Sequence, residues 1–588
     1  METNELDIKV FRLDDIPLIY SIIQQTNMIS IIDNHLPVHG LHQGLSNGNL
    51  IAVWICHILT TGNHAKIHVR QWSIANRNLL EILTGEKIRD AEFDDSRLST
   101  LLTHLSDEDV KAKIEQDFFN TNIYIYDFKT INEVADMDTQ PDILPCAHID
   151  TTTSYGFHTN KEGIMQLGHS KDHRPDLRQI KLLAVAIQGK LLHHKTYAGN
   201  QADDGVYYPA IEDTQKVINK NGVLYVGDSK ISAMETRAKI AANGDYYLTH
   251  LPQNKGNKEF IASCIEHVIS SEEQISELVY KSDILIGGGY QTERGLEYLF
   301  DGNKSAHQWT EQVLVFRSLS HLSSIANNLE KNLKNATDAI LKLTPQPGKG
   351  KRQITTEADL EQGILDICTD NDVITLIDVS WEKQIQTTTK YVGRGRGVKD
   401  RQTQTIEKIR YQITGATVNR QNVKERLIRS GWVVYVSNIS KKIVNLSNAV
   451  LTYRENYHLE HKFHTLKDSP LSISPLFVHN DDQIRGLTNL LMLAICVIDY
   501  TEATINQQIA KQKSPLKGVY RGLPNKLFYT VTALTLFNFF SESQITLTIV
   551  SVNSQVIKYQ IDNFNNEHIK ILNLLNIPIE IYKFMLKT

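Results

Sequence analysis

Apolar positions recur every three or four residues through the first part of the chain: Leu13, Ile16, Ile19, Ile22 and Ile23, then the run IAVWICHILT at 51–60. That period predicts helices with one face or all faces buried, and residues 1–125 read as a helical domain. Within it, Asp95 or Ser96 is placed to cap a helix running to Leu105, and 107–119 predicts another. Near residue 144 the period shortens to two. CAHID (146–150) predicts a short strand ending at Asp150, and 180–200 predicts a hairpin turning at Gln188–Gly189. NGVLYVGDSK predicts a strand ending at Asp228, and SAMETRAKIAANG a helix stopped at Asn243–Gly244. The result is an α/β unit over 140–255. Residues 256–430 interrupt it with β-rich text, and a structureless loop of that length is improbable, so an inserted β-rich domain is expected. The strand GWVVYVSN and a helix over 448–467 resume the α/β core, assigned to 431–520; 521–588 is expected to be a C-terminal helical region.

Two apolar runs, Leu487–Ile498 and Leu527–Phe540, fall short of the roughly 18 residues that a membrane span requires, so both are expected to be buried core helices. No membrane partner is expected. The start METNELDIKVF has no basic-then-apolar leader, and a cytoplasmic location is the expectation. At 588 residues, several domains are needed. Five cysteines are scattered without a CxxC pair, which excludes a zinc knuckle or disulfide scaffold and fits a reducing compartment. A net charge of -5 excludes nucleic acid wrapped over the entire surface, but not a local groove. Residues 383–430 hold twelve Lys or Arg against three acidic residues, a net +9 that fits either a polyanion contact or a solvated face.

Candidate chemistry gathers at 453–467, YRENYHLEHKFHTLK. At about 100° per residue, Tyr453, Asn456, Glu460 and Lys467 share a helical arc of about 60°, with Leu459, Phe463 and Leu466 as an apolar stripe beside them. A carboxylate, a cation, an amide and a phenol on one face suit metal-dependent phosphoryl transfer. Asp150 and Asp228 close two apolar strands, where a carboxylate is costly unless paired or bound to metal. Together with Glu460 they offer three oxygen donors for Mg²⁺, with Mn²⁺ as a substitute. Such ions activate a water or 3′-hydroxyl for in-line attack at phosphorus.

Three blocks give the chain a family resemblance: HIDTTTSYGF (148–157) running on to LGHSKDHRPDLRQIKLL, then YVGDSKIS (225–232), then the helix at 453–467. It resembles insertion-sequence transposases of the DDE class, with a ribonuclease-H-like core interrupted by a β-rich insertion domain. Their helix signature is Tyr, two residues, Arg, three residues, Glu, six residues, Lys. This chain keeps Tyr453, Glu460 and Lys467 in register but has Asn456 where the arginine would stand, so it lacks the charged guanidinium fork there. The resemblance implies Mg²⁺-dependent hydrolysis and strand transfer at the ends of an insertion sequence in a bacterial cell. It implies catalytic roles for Asp150, Asp228, Glu460 and Lys467, the three carboxylates holding metal. Double-stranded DNA would be the partner, read by the N-terminal domain. A homodimer would form on DNA, with the C-terminal region contributing. The alternative is a catalytically silent, transposase-derived DNA-binding protein.

Tyr453, Asn456, Lys171, Arg174, Arg178 and Lys230 are the expected DNA contacts around the carboxylates. Arg394 and Arg396 in GRGRG are further candidates, since that run lacks the spacing of either a dinucleotide or a phosphate-binding loop and implies no nucleotide cofactor. Trp381 and Trp432 are expected to pack in the core rather than stack on a base. His193 and His194, adjacent on a strand, are expected to face opposite ways.

Overall fold

A computed structural model describes residues 6–126, 145–270, 275–280, 284–302, 305–392, 402–552 and 555–583. The chain is mixed α/β, with strands β1 (Leu6–Arg12), β2 (Cys146–Gly156), β3 (Arg178–Ile187), β4 (Lys190–Ala198), β5 (Leu224–Gly227), β6 (Tyr246–His250), β7 (Ser276–Tyr280), β8 (Ile284–Tyr298), β9 (His307–Ser318), β10 (Ile377–Tyr391), β11 (Thr403–Val418) and β12 (Trp432–Ser437). Nine of them form one mixed sheet in the order β4-β3-β2-β5-β6-β12-β9-β8-β7. β2 pairs antiparallel with β3 but parallel with β5, and β5 is parallel to β6.

The β3–β4 hairpin turns where the sequence places it. Ile187 pairs with Lys190, and Gln188 and Gly189 between them have φ of 50° and 72°. Two positive φ values in a two-residue loop match the right-handed twist of the flanking strands.

β2 is longer than expected. The sequence reading ended it at Asp150, but Thr151, Thr152, Thr153 and Ser154 continue as strand and are all buried. Their pairing with β3 runs on through Leu183, Leu182, Lys181 and Ile180. Three β-branched threonines suit a pleated surface, which a polar reading of TTTS overlooks. Asp150 therefore lies inside β2, one residue beyond the last pairing with β5.

Residues 256–430, expected as an inserted β-rich domain, share strands with the main sheet. β7, β8 and β9 join the main sheet through β12, with Trp432 to Ser437 registered against Arg317 to Gln312. What stands outside that sheet is two helices, Leu319–Leu343 and Glu357–Asp370, packed against the β10–β11 ribbon around Leu333, Ile340, Leu360, Tyr411 and Ile413. The interruption is thus as much helix as strand.

The N-terminal block is helical apart from β1, which pairs with Thr546–Val552. The helix cap near 95 falls at Asp94, without a side-chain hydrogen bond, while Asp107 does cap Glu108–Thr121 through the amides of Asp109 and Val110. The C-terminal region carries strands as well as helices, Thr546–Val552 also pairing with Gln555–Asp562. The run at Leu487–Ile498 belongs to a 32-residue helix, Asp481–Gln512, longer than the sequence suggested. By length and composition it could cross a membrane, but 89% of its most apolar window is buried inside the protein, against the N-terminal helices and β4.

Candidate active site

The parallel pairing of β2 with β5 sets Ile149 beside Gly227, and an aspartate follows each, Asp150 within β2 and Asp228 just past the end of β5. Two carboxylates thus leave the same stretch of sheet side by side. Asp150 accepts from the Thr151 amide at 2.7 Å and lies 3.4 Å from the Lys171 ammonium. Burial raises its proton affinity, Lys171 and the Thr151 amide oppose that, and Asp228 adds repulsion. Asp228 accepts from the Lys230 amide at 2.9 Å, and its carbonyl accepts from the Thr249 hydroxyl at 2.7 Å.

The 453–467 segment is two helices rather than one. Leu446–Arg454 ends at a turn over Glu455–Asn456, and Tyr457–Lys467 begins beyond it. Bonds from His458 to Glu455 and from Leu459 to Asn456, both 3.0 Å, span three residues instead of four. This tightens the turn and alters the angular relation between Tyr453 and Glu460. Leu459, Phe463 and Leu466 dock the second helix as expected, and Glu460 stands on its exposed side.

Tyr453 links the parts. Its hydroxyl is 2.8 Å from His250 Nδ1 at the end of β6, and burial together with the fields of Asp228, Asp150 and Glu460 raises its proton affinity. The fields of all three carboxylates therefore reach the same phenol. They are not drawn together: among the described residues no group of three His, Cys, Asp or Glu side chains is placed to hold a metal ion. The two aspartates do fit one. They are adjacent, one is buried at a cost, and both offer hard oxygen donors that a divalent cation would relieve. Asn456 Oδ1 is buried with no hydrogen-bond partner.

The expected cations are already engaged. Lys467 forms an ion pair with Asp172, whose other oxygen accepts from the Thr153 hydroxyl at 3.1 Å. Lys171 also donates to the Thr151 carbonyl, Lys230 pairs with Asp204 at 2.9 Å, and Arg174 forks onto Asp176. Arg178 reaches Gln166 at 3.3 Å. Arg394 and Arg396 lie outside the described residues. Arg454, at the end of the first helix, lays its guanidinium 5.9 Å from the Phe316 ring centre. Trp432 is buried, with its indole nitrogen 3.0 Å from the Ile428 carbonyl, and Trp381 packs edge-on against Tyr411.

Two features escaped the sequence reading. Asp172, an acid between Lys171 and His173, is absent from the expected site residues and anchors Lys467 from a distant part of the chain. His193 and His194 send their Nε2 atoms to different elements, towards Asp213 and onto Asn489 at 2.8 Å, yet both Nδ1 atoms reach Glu115, at 2.8 and 3.0 Å. The β3–β4 register shift between Val185 and Ala186 is taken up at Leu192, and His193 and His194 then pair in turn with Val185 and Ala184.

Residues 8–116 match the family described as a domain of unknown function, DUF4277. No curated protein matches the chain. A solved structure described as a cryo-EM structure of piggyBac transposase synaptic complex with hairpin DNA aligns over 86% of this chain and 84% of its own, at 9% identity and a TM-score of 0.24. A score that low does not establish a shared fold.

Proposed function

We propose that the protein is a DNA transposase of the DDE class, cutting and joining phosphodiesters at the ends of an insertion sequence. The observation that carries this reading is the pair of aspartates within and just past adjoining parallel strands, with Glu460 and Lys467 following at the family spacing. The run β4-β3-β2-β5-β6, antiparallel on one side of β2 and parallel on the other, supports a ribonuclease-H-like core with its acids at the centre. The match of residues 8–116 leaves the N-terminal block open to a role in reading the DNA ends.

In this reading Asp150 and Asp228 hold Mg²⁺ or Mn²⁺, and Glu460 joins them when its helix closes on DNA. The bound cation supplies Lewis acidity at the phosphate and a nucleophile that is easier to deprotonate. Tyr453 and Asn456 brace the DNA backbone, the amide making a neutral contact where relatives use an arginine. Lys467 reaches a phosphate near the scissile bond by exchanging Asp172 for it. Lys171, Arg174, Arg178 and Lys230 make the same kind of exchange along the backbone. Joining requires no nucleotide, because transesterification conserves the number of phosphodiester bonds. Two copies bring two DNA ends together.

The separation of Glu460 from the aspartates favours a second reading, a DNA-binding descendant without cleavage. One experiment separates them: incubation of a duplex carrying the terminal repeats with Mg²⁺ or Mn²⁺. The enzyme cuts and joins, and Asp228→Ala or Glu460→Ala abolishes cutting while duplex binding persists. Cutting that survives either substitution at the parent rate removes these residues from the chemistry, and an inert parent selects the second reading.

A further inference from the structure

Beyond the carboxylates, the β10–β11 ribbon is the element least accounted for. It is two-stranded, 15 and 16 residues long, and so reaches about 50 Å when extended. Packing on the two helices steadies a two-stranded ribbon that would be marginal alone, while Gln386, Lys390, Gln404 and Lys408 farther along it stay exposed. Directly opposed residues share a face, and the register sorts the ribbon into two. On one, Trp381, Tyr411 and Ile413 pack towards the helices of the interruption. On the other stand Gln384, Gln386, Thr388 and Lys390 from β10, opposite Arg410, Lys408, Ile406 and Gln404 from β11 in turn. Gln386, Lys390, Gln404 and Lys408 are exposed; Arg410 is partly held by the Pro345 carbonyl at 3.2 Å. The nearest acid on this face, Glu382, is engaged by Gln384 at the end nearer the helices, and Glu407 lies on the opposite face.

We infer that this Gln/Lys/Arg face docks in the major groove of double-stranded DNA. The inference rests on the transposase reading and deepens it by naming a surface for the duplex. A groove about 12 Å wide admits a two-stranded ribbon, and glutamine amides match the donor–acceptor edge of adenine while lysine and arginine suit guanine or phosphate. Same-face residues along a strand are about 6.8 Å apart, close to two base-pair steps of about 3.4 Å. Charge complementarity argues for a polyanion over a second copy of the chain, whose ribbon would present the same cations.

The test uses the full chain and a fluorescein-labelled duplex of mixed sequence, titrated against salt. Lys390→Glu with Lys408→Glu is expected to weaken binding at least about tenfold near physiological salt. The slope of log K against log salt should become shallower by about 2, one unit per lost phosphate contact. Both side chains are exposed, so the fold persists, and an unchanged thermal midpoint verifies that. Thr387→Ala with Thr389→Ala, on the opposite face, should leave the slope alone. Gln386→Ala with Gln404→Ala should keep the slope while broadening the sequences recovered from a random duplex pool. Methyl green, which occupies the major groove, should displace the parent more effectively than netropsin, which occupies the minor. If the parent binds and cuts duplex but the charge reversal leaves the slope unchanged, the ribbon inference alone falls. If the parent binds no duplex, the transposase reading falls with it. Self-association without DNA that the charge reversal removes, with an unaltered slope, overturns the inference in favour of a ribbon-to-ribbon interface.

Discussion

At Asp150, burial opposes ionisation while Lys171 and the Thr151 amide favour it, and burial wins. Asp228, just past the neighbouring strand, adds to the cost of the charged form. A bound cation would reverse that balance, because it rewards the ionised pair. The thermal midpoint of the parent is therefore expected to rise with millimolar Mn²⁺. Asp150→Asn should be more stable than the parent without metal, by about 1–3 °C, and should lose most of the rise. An identical Mn²⁺ shift in both proteins would place the ion elsewhere. Asp172 poses the complementary question for Lys467. With side chains only 22% and 12% exposed, this ion pair is shielded enough that deleting one partner strands the other. Lys467→Ala is expected to cost about 1–2 kcal/mol in chemical denaturation, and Lys467→Ala with Asp172→Ala to recover most of it. Cutting should stay lost in the double variant if the lysine serves the phosphate. Recovery of cutting along with stability would reduce the lysine to a structural role.

Elements were legible in the sequence to the extent that their signals are local. The hairpin turn at Gln188–Gly189 is written in two residues between apolar runs, and the β2 and β5 carboxylates follow apolar stretches that could only be buried strand. The spacing of Tyr453, Glu460 and Lys467 was visible, but the break between them was not. Glu455 and Asn456 are neither glycine nor proline, and the three-residue hydrogen bonds that tighten the chain there follow from how two helices dock. The continuation of β2 through Thr151–Ser154 was hidden because threonine reads as polar by composition and as strand by shape. The joining of β7–β9 to the main sheet depends on pairing with β12, more than a hundred positions later for every pair, and no periodicity records a partner. The ion pair of Lys467 with Asp172 is of the same kind. Local pattern therefore located the candidate site to within a strand or a helix face, whereas the distance between Glu460 and the aspartates required the fold.

At the scale of the entire chain, the first and last described segments meet. β1 runs antiparallel to Thr546–Val552, the Leu13 amide donates to the Ile545 carbonyl at 2.9 Å, and the Tyr582 hydroxyl donates to the Asp14 carbonyl at 2.9 Å. Asp15 is buried at this junction, 1% exposed, with one oxygen accepting from Thr60 at 3.1 Å and the other without a partner. Burial pushes its carboxyl up to about 7, the Thr60 hydroxyl only partly opposing. A carboxyl that binds its proton more tightly folded than unfolded favours the fold in its protonated form. That contribution is complete below the unfolded value near 4 and drains away as pH rises, until it is gone above about 7. Asp15→Asn removes the ionisation while keeping the shape. Its stability advantage over the parent should be small below about pH 4, grow through the window from about 4 to about 7, and level off above it at roughly 2–4 kcal/mol. Denaturant unfolding of both proteins across that range measures the difference directly. Hydrogen exchange locates it: at pH 8 the substitution should protect the amides that β1 and Thr546–Val552 share, because each loses the other if the junction opens. A difference that does not vary with pH would mean that Asp15 keeps its charge in the fold, the Thr60 hydroxyl and the field of Arg12 then outweighing burial.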